Sequence, residues 1–240
     1  MLADEMTPID AQLIVRDPAE QLARLRAEWG GRSDLWVFGY ASLIWRPEFD
    51  AAEHRPALVR GWHRALRMRS RVNRGTPQQP GLVFALLPGG ACRGMAYRMR
   101  RDRADEELDR LWAREMPTGV YDARLLPCQT THGPVDALAF TLSRRSESYI
   151  GRIADEQLLH ILRHARGRYG STLDYVARTA RALREHGVRD REIERLMRLA
   201  AHHGLVGPAQ DPAPRTASRS ATVSTSTSTP GSSSSQAQAG

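Results

Sequence analysis

Hydrophobic and polar positions along this chain change their period twice. Asp17-Pro18 opens DPAEQLARLRAEWGG, with Asp in a capping position, Pro at the first helical position, Glu20 in the first turn and Gly30 past the end, and this predicts one short helix. From residue 35 the apolar residues fall into short runs of strand character: LWVFG (35–39), HRALRMRS (63–70), GLVFALL (81–87), RGMAYRM (93–99), ARLLPCQ (123–129) and VDALAFTL (135–142). Glycine punctuates them, as in PGG at 88–90 and HGP at 132–134. After Ser148 helical spacing returns. Leu158, Ile161, Leu162 and Ala165 form one stripe within 154–165, Ser171 and Asp174 suggest a capping box for a helix stopped by Gly187, and a third helix runs from about Asp190 to His203. Strands followed by helices predict an α+β fold, a mixed curved sheet or small barrel with flanking helices.

One helix interrupts the strands. DRADEELDRLWAREMP offers Asp102 as N-cap and ends near Glu115, because Pro117 drives Met116 out of the α region. Ala104, Leu108, Leu111 and Trp112 recur at helical spacing, and at a hundred degrees per residue Glu115 falls on the same stripe. Asp105, Glu106, Glu107 and Asp109 lie off its centre. A carboxylate that faces inward has its pKa raised by burial and by the negative end of the helix dipole, which suits a general base or acid near neutrality. An ion pair with Arg98, Arg114 or Arg124 is the alternative role for the same residue.

A second stretch carries the matching half of a site. The strand LWVFG runs into Tyr40, Ala41, Ser42, Leu43 and Ile44 without a polar turn, leaving backbone N–H groups that no ladder uses in a close-packed setting. Proteins hold small anionic groups in this way.

Composition then narrows the possibilities. The 240 residues, 41% apolar, can bury a full core in one domain or at most two. We divide them into an N-terminal extension with the short helix (1–33), a catalytic domain (34–207) and a Ser/Thr/Pro-rich tail (208–240). The tail has no large hydrophobe beyond Val223 and is expected to be disordered. All 35 basic residues are Arg, spread along the chain among 27 acids, so the net charge of +8 points to solvated faces and surface ion pairs and not to a nucleic-acid partner. Cys92 and Cys128 lie far apart outside any CxxC, and His160 and His164 lack an HExxH context, so neither a disulfide framework nor a metal site is expected. Acidic residues near the start and the lack of a long apolar run predict a cytoplasmic protein with no membrane partner.

Ser42 is not set in a GxSxG elbow and no His is fixed beside it, so nucleophilic catalysis is not indicated. Tyr40, Tyr121 and Tyr175 are each able to bond a ligand or simply pack. Arg69, Arg71 and Arg74, on a strand and the loop after it, are candidates to meet a ligand carboxylate.

These residues resemble the ChaC-like gamma-glutamylcyclotransferases. The family's substrate loop, close to GYGSL-[IM]-W after a short strand, stands here as GYASLIW, Gly39 to Trp45, and its base-bearing helix end stands as LWAREMPTGVY. LVRGWHRA (58–65), RGTPQQPG (74–81), RGMAYRM (93–99) and GSTLDYV (170–176) match further blocks, so the resemblance spans about Leu35 to Leu199. It implies the gamma-glutamylcyclotransferase-like fold and a cofactor-free lyase reaction. The amine of a gamma-glutamyl group attacks its own side-chain carbonyl, closing 5-oxoproline and expelling an amine. It further implies glutathione as the usual substrate, Cys-Gly as leaving group, Glu115 as general base and acid, and Gly39, Tyr40, Ala41, Ser42, Leu43 and Ile44 as the substrate-binding loop. Ala41 stands where the family usually has Gly, and its methyl would cost about 1 kcal/mol if the backbone there required positive φ.

Overall fold

The computed structural model describes residues 17–207. The tail, and any effect of removing it, lie outside the described residues, as does the chain before Asp17.

Five strands close into a barrel in the order β1-β3-β2-β4-β5: β1 (Leu35–Gly39), β2 (Glu53–Ser70), β3 (Gly81–Met99), β4 (Asp122–Thr130) and β5 (Gly133–Thr141). β1 closes the circle, antiparallel to β3 and parallel to β5, so the sheet is mixed as the sequence predicts. Six helices accompany it: α1 (Pro18–Trp29), α2 (Ser42–Trp45), α3 (Arg101–Glu115), α4 (Asp155–His164), α5 (Thr172–Glu185) and α6 (Arg191–His202). A two-stranded hairpin, β6 (Arg166–Gly167) with β7 (Gly170–Ser171), precedes α5.

The largest departure from the sequence reading is in β2 and β3. Where short strands with a glycine break between 87 and 93 are expected, β2 has 18 residues and β3 has 19, paired from Glu53↔Arg98 to Ser70↔Gly81. The glycines bend the ladder instead of ending it. Gly61, with φ 79°, marks a register shift between Arg60 and Trp62, and Gly89 and Gly90 lie opposite it on β3 with φ 104° and 75°. Such a bulge curls a long hairpin, and that curvature is what closing a small barrel requires. Pro56 is tolerated within β2 because β4 pairs with β2 only over Ala57–Val59.

Helix ends follow local rules in most places. Asp17 accepts from the Ala19 N–H at 2.7 Å, Ser171 from Asp174 at 3.0 Å and Asp190 from Ile193 at 3.0 Å, while Gly30 and Gly187 adopt left-handed φ of 72° and 68°. α2 and α4 start without a side-chain cap, and α3 takes its cap from a distant residue. It starts at Arg101, ahead of the expected Asp102 cap, because Asp34 reaches across from before β1 and accepts the Arg101 N–H at 2.8 Å. That bond and the Arg98 guanidinium hold the Asp34 carboxyl below its ordinary range. Asp102 instead pairs with Arg100.

α1 is joined to the barrel's core and to α3. Leu25 belongs to the common core, and buried Gln21 donates to the Tyr121 carbonyl and accepts from the Ala123 N–H, both at 3.0 Å. Arg26 pairs with Asp105 and Asp109 of α3. Cys92 and Cys128 are buried and unpaired.

Candidate active site

β1 ends in a sharp change of direction. Gly39 is required there by space: a Cβ would come 3.0 Å from the Tyr97 ring and 3.2 Å from Leu43. The chain then makes the single turn α2. Ala41, the position before it, has φ −146° and ψ −114°, outside the extended and helical regions but with negative φ, so the methyl that replaces glycine there carries no left-handed strain. Its side chain is buried.

Two arginines fix this loop from opposite ends. At the start, fully buried Arg64 of β2 donates through Nε to the Tyr40 carbonyl and through Nη2 to the Arg93 carbonyl, and its Nη1 meets Asp190. At the far end, Arg114 of α3 donates to the Arg46 and Pro47 carbonyls, lies 3.4 Å from the Ser42 hydroxyl and pairs with Glu48 at 3.1 Å. Neither role is visible in the local sequence, since both partners come from distant stretches.

The loop and the last residue of α3 meet. A narrow cleft, about 280 Å³ counting the open solvent at its mouth, is lined by Tyr40, Ala41, Ser42, Leu43 and Glu115, with an aromatic wall of Phe84, Tyr121, Phe140 and Tyr175. Gly39 and Ile44 do not line it. Gly39 pairs with Met95, while the Ile44 N–H is taken by the Ala41 carbonyl at 3.0 Å and its own carbonyl accepts from Tyr97 at 3.1 Å.

Glu115 sits at the closed end of α3 with 15% of its side chain exposed. Burial raises its carboxyl above the ordinary range and nearby Glu48 adds to this, while Arg114, 3.0 Å away, opposes it. Both roles open to Glu115 in the sequence therefore coexist: it is an ion-pair partner of Arg114 and a carboxylate of raised proton affinity facing a cleft. The stripe it lies on is wider than its spacing suggests, because Glu107, placed off centre by the helical period, is 0% exposed and pairs with Arg103 and Arg110 at 3.5 and 3.4 Å.

The three tyrosines bond and pack at once. The Tyr40 hydroxyl donates to the Phe140 carbonyl at 3.0 Å, and the Phe84 N–H donates to Tyr175 at 3.2 Å. Burial raises all three phenols, and the Glu115 carboxylate raises Tyr121 further, so they remain neutral donors beside the carboxylate. Phe84 and Phe140 could not be found from sequence, where they read as ordinary inward residues of strands. Of the three candidate arginines, Arg69 and Arg71 are exposed and Arg74 is 5% exposed.

The model of the family described as ChaC-like protein matches residues 35–203. This chain belongs to the ChaC-like family. The ChaC-like match takes in the barrel, the loop and Glu115 but not α1. A relative from Escherichia coli K12, named glutathione-specific gamma-glutamylcyclotransferase, is 33% identical over 175 residues, covering 71% of this chain and 76% of its own. One from Rattus norvegicus, glutathione-specific gamma-glutamylcyclotransferase 1, is 34% identical over 158 residues, covering 64% of this chain and 71% of its own. Among solved structures, the yeast gamma-glutamyl cyclotransferase specific to glutathione superposes with a TM-score of 0.65 at 19% identity, covering 72% of this chain and 97% of that one. At that identity the superposition speaks for the fold, an α+β closed barrel with helices around it.

Proposed function

We propose that this ChaC-like chain is a glutathione-specific gamma-glutamylcyclotransferase, in which Glu115 moves the protons and the residues from Tyr40 to Leu43 hold the gamma-glutamyl head group. The observation that carries this reading is the meeting of Glu115 with that loop in one aromatic-walled cleft. The names of the relatives supply the substrate.

The chemistry asks for few parts. The substrate's α-ammonium must lose a proton before it is a nucleophile, and a carboxylate of raised proton affinity at the cleft wall accepts it. The freed amine attacks the side-chain carbonyl carbon, the new C–N bond closes the five-membered ring, and the developing oxyanion needs donors, for which the loop N–H groups and the neutral phenols are candidates. As the original C–N bond breaks, protonated Glu115 returns its proton to the departing amine of Cys-Gly. Atoms balance with 5-oxoproline and Cys-Gly as the only products, and no cofactor takes part in the scheme. Because attack is intramolecular, holding the gamma-glutamyl chain curled supplies much of the acceleration, and a narrow cleft with a loop fixed by Arg64 and Arg114 suits that task. We propose further that the partner is this small substrate alone, with neither nucleic acid nor membrane, and that the reaction takes place in the cytoplasm. No described helix is long and apolar enough to cross a membrane.

Purified protein with reduced glutathione and no nucleotide is expected to release 5-oxoproline and Cys-Gly at a rate that chelator leaves unchanged. Chromatography across a panel of gamma-glutamyl peptides reads the outcome. Product from other gamma-glutamyl substrates but not from glutathione would move the specificity, and no product from any of them would overturn the proposal.

A further inference from the structure

Beside the cleft lies a group of cations and aromatic rings that the proton-transfer scheme leaves unused. Arg74, on the loop between β2 and β3, is buried with its guanidinium carbon 5.1 Å from the centre of the Tyr175 ring and 5.9 Å from that of Trp45. Tyr175 is itself a wall of the cleft, and Trp45 directly follows the substrate loop. Arg178 of α5 lies over the other ring, 5.5 Å from the centre of Trp45.

The loop and the β6–β7 hairpin hold this group together. The Arg168 and Tyr169 N–H groups donate to the Val72 and Asn73 carbonyls at 2.8 and 2.9 Å. Tyr169 presents an exposed ring flanked by Arg46 at 5.1 Å and Arg168 at 5.3 Å. Asp174 is the acid nearest Arg74 and is shared: it pairs with Arg178 at 3.1 Å and lies 3.5 Å from Arg74. Arg46 pairs with Glu48, so the four arginines around these rings, Arg46, Arg74, Arg168 and Arg178, meet two acids.

Arg74 is the part of this group built for a ligand. Its Nη1 donates to the Tyr169 carbonyl and reaches Asp174, but Nε and Nη2 donate to no described protein group. Neither is a buried atom left without a hydrogen-bond partner; among the described residues Arg26 Nε and Glu107 Oε2 are the buried side-chain atoms in that state. A guanidinium stripped of most of its water, stacked on an aromatic face and keeping two parallel donors free fits a carboxylate by a bidentate fork. A departing dipeptide spans at most about 7 Å from the scissile bond to its terminal carboxylate. Arg74 stacks on Tyr175, a residue of the cleft wall, 5.1 Å from its ring centre.

We infer that Arg74, stacked on Tyr175 and Trp45, forms the subsite for the terminal carboxylate of the leaving dipeptide, and that the surrounding arginines draw that carboxylate in. This rests on the cyclotransferase reading and adds to it the feature of the leaving group that the protein selects.

The test compares glutathione with its glycine-amide analogue, which keeps the gamma-glutamyl group and loses only the terminal charge. With wild-type protein kcat/KM is expected to be about tenfold or more higher for the acid, the scale of one charge-assisted hydrogen bond, and most of the difference lies in KM. Arg74→Gln is expected to lower kcat/KM for glutathione far more than for the amide, so that the ratio falls toward one. Arg74→Lys, which keeps charge but not the fork, should fall between. Equal wild-type rates on acid and amide would overturn the subsite whether or not the variants fold. So would variants that lose both substrates in equal proportion, the signature of an arginine that only anchors the hairpin. Failure of the cyclotransferase reading looks different, since neither acid nor amide would then yield 5-oxoproline.

Discussion

Glu115→Gln lowers turnover of glutathione roughly 100-fold or more while the protein still folds and still binds substrate. Gln keeps the size of the side chain and part of its contact with Arg114 but cannot take a proton, and loss of a general base costs about 10²–10⁴ in rate. In the proposed mechanism the substrate's α-carboxylate is held by the Tyr40 to Leu43 loop, whose start Arg64 fixes without help from the Glu115 carboxylate, so glutathione should still raise the variant's melting temperature. Stability has its own signature. Burial puts the folded-state pKa of Glu115 above its unfolded value, so the folded protein binds more protons in the window between the two. The stability contributed by the protonated group is fully present below the ordinary carboxylate pKa and is lost as pH rises through the raised folded value. Gln removes that titration. The wild type's melting temperature should accordingly fall relative to the variant's as pH rises from the ordinary carboxylate range through the raised folded value. Near wild-type turnover in Glu115→Gln would reduce Glu115 to a helix-end ion-pair residue and end the mechanism proposed above.

What could be read from the sequence was what neighbours in the chain decide. The caps Asp17, Ser171 and Asp190, the stop at Gly187, the end of α3 before Pro117 and the placement of Glu115 on an apolar stripe all depend on residues within a turn or two. Strand runs were legible as apolar segments, but their continuity was not. Glycines at 89 and 90 read locally as a break, and only pairing between β2 and β3, with Gly61 opposite them, turns them into the bend that curls the hairpin. The start of α3 was misplaced because its capping carboxylate, Asp34, arrives from before β1. Glu107 was misjudged because helical period alone says which face a residue is on and not how wide a face its neighbours cover. In the site, the loop and Glu115 were legible as separate motifs, whereas Phe84 and Phe140 are brought to the cleft by barrel closure.

Arg64→Met is expected to cost about 3–5 kcal/mol, the scale of breaking a buried charge pair by removing one partner. The wild-type side chain is 0% exposed, and each of its terminal nitrogens is used: Nε on the Tyr40 carbonyl, Nη2 on the Arg93 carbonyl and Nη1 on Asp190, whose side chain is 14% exposed. Methionine fills much of the same volume, so the loss comes from an uncompensated carboxylate and two stranded carbonyls and not from a cavity. At about 2–4 °C per kcal/mol for a domain of this size, the melting temperature should fall by roughly 10 °C. Arg64→Lys keeps the charge but cannot reach three acceptors in one plane, so it should recover only part of the loss. Asp190 separates the pair from the helix cap. It accepts the Ile193 N–H at the start of α6, and Asn there keeps the cap while removing the charge. In a double-mutant cycle Asp190→Asn should therefore destabilise the wild type but add little to Arg64→Met, because the carboxylate left unpaired by the first change is neutralised by the second. Strict additivity of the two variants, or an Arg64→Met protein as stable as wild type, would show that this arginine does not hold the Tyr40 end of the substrate loop by the bonds described.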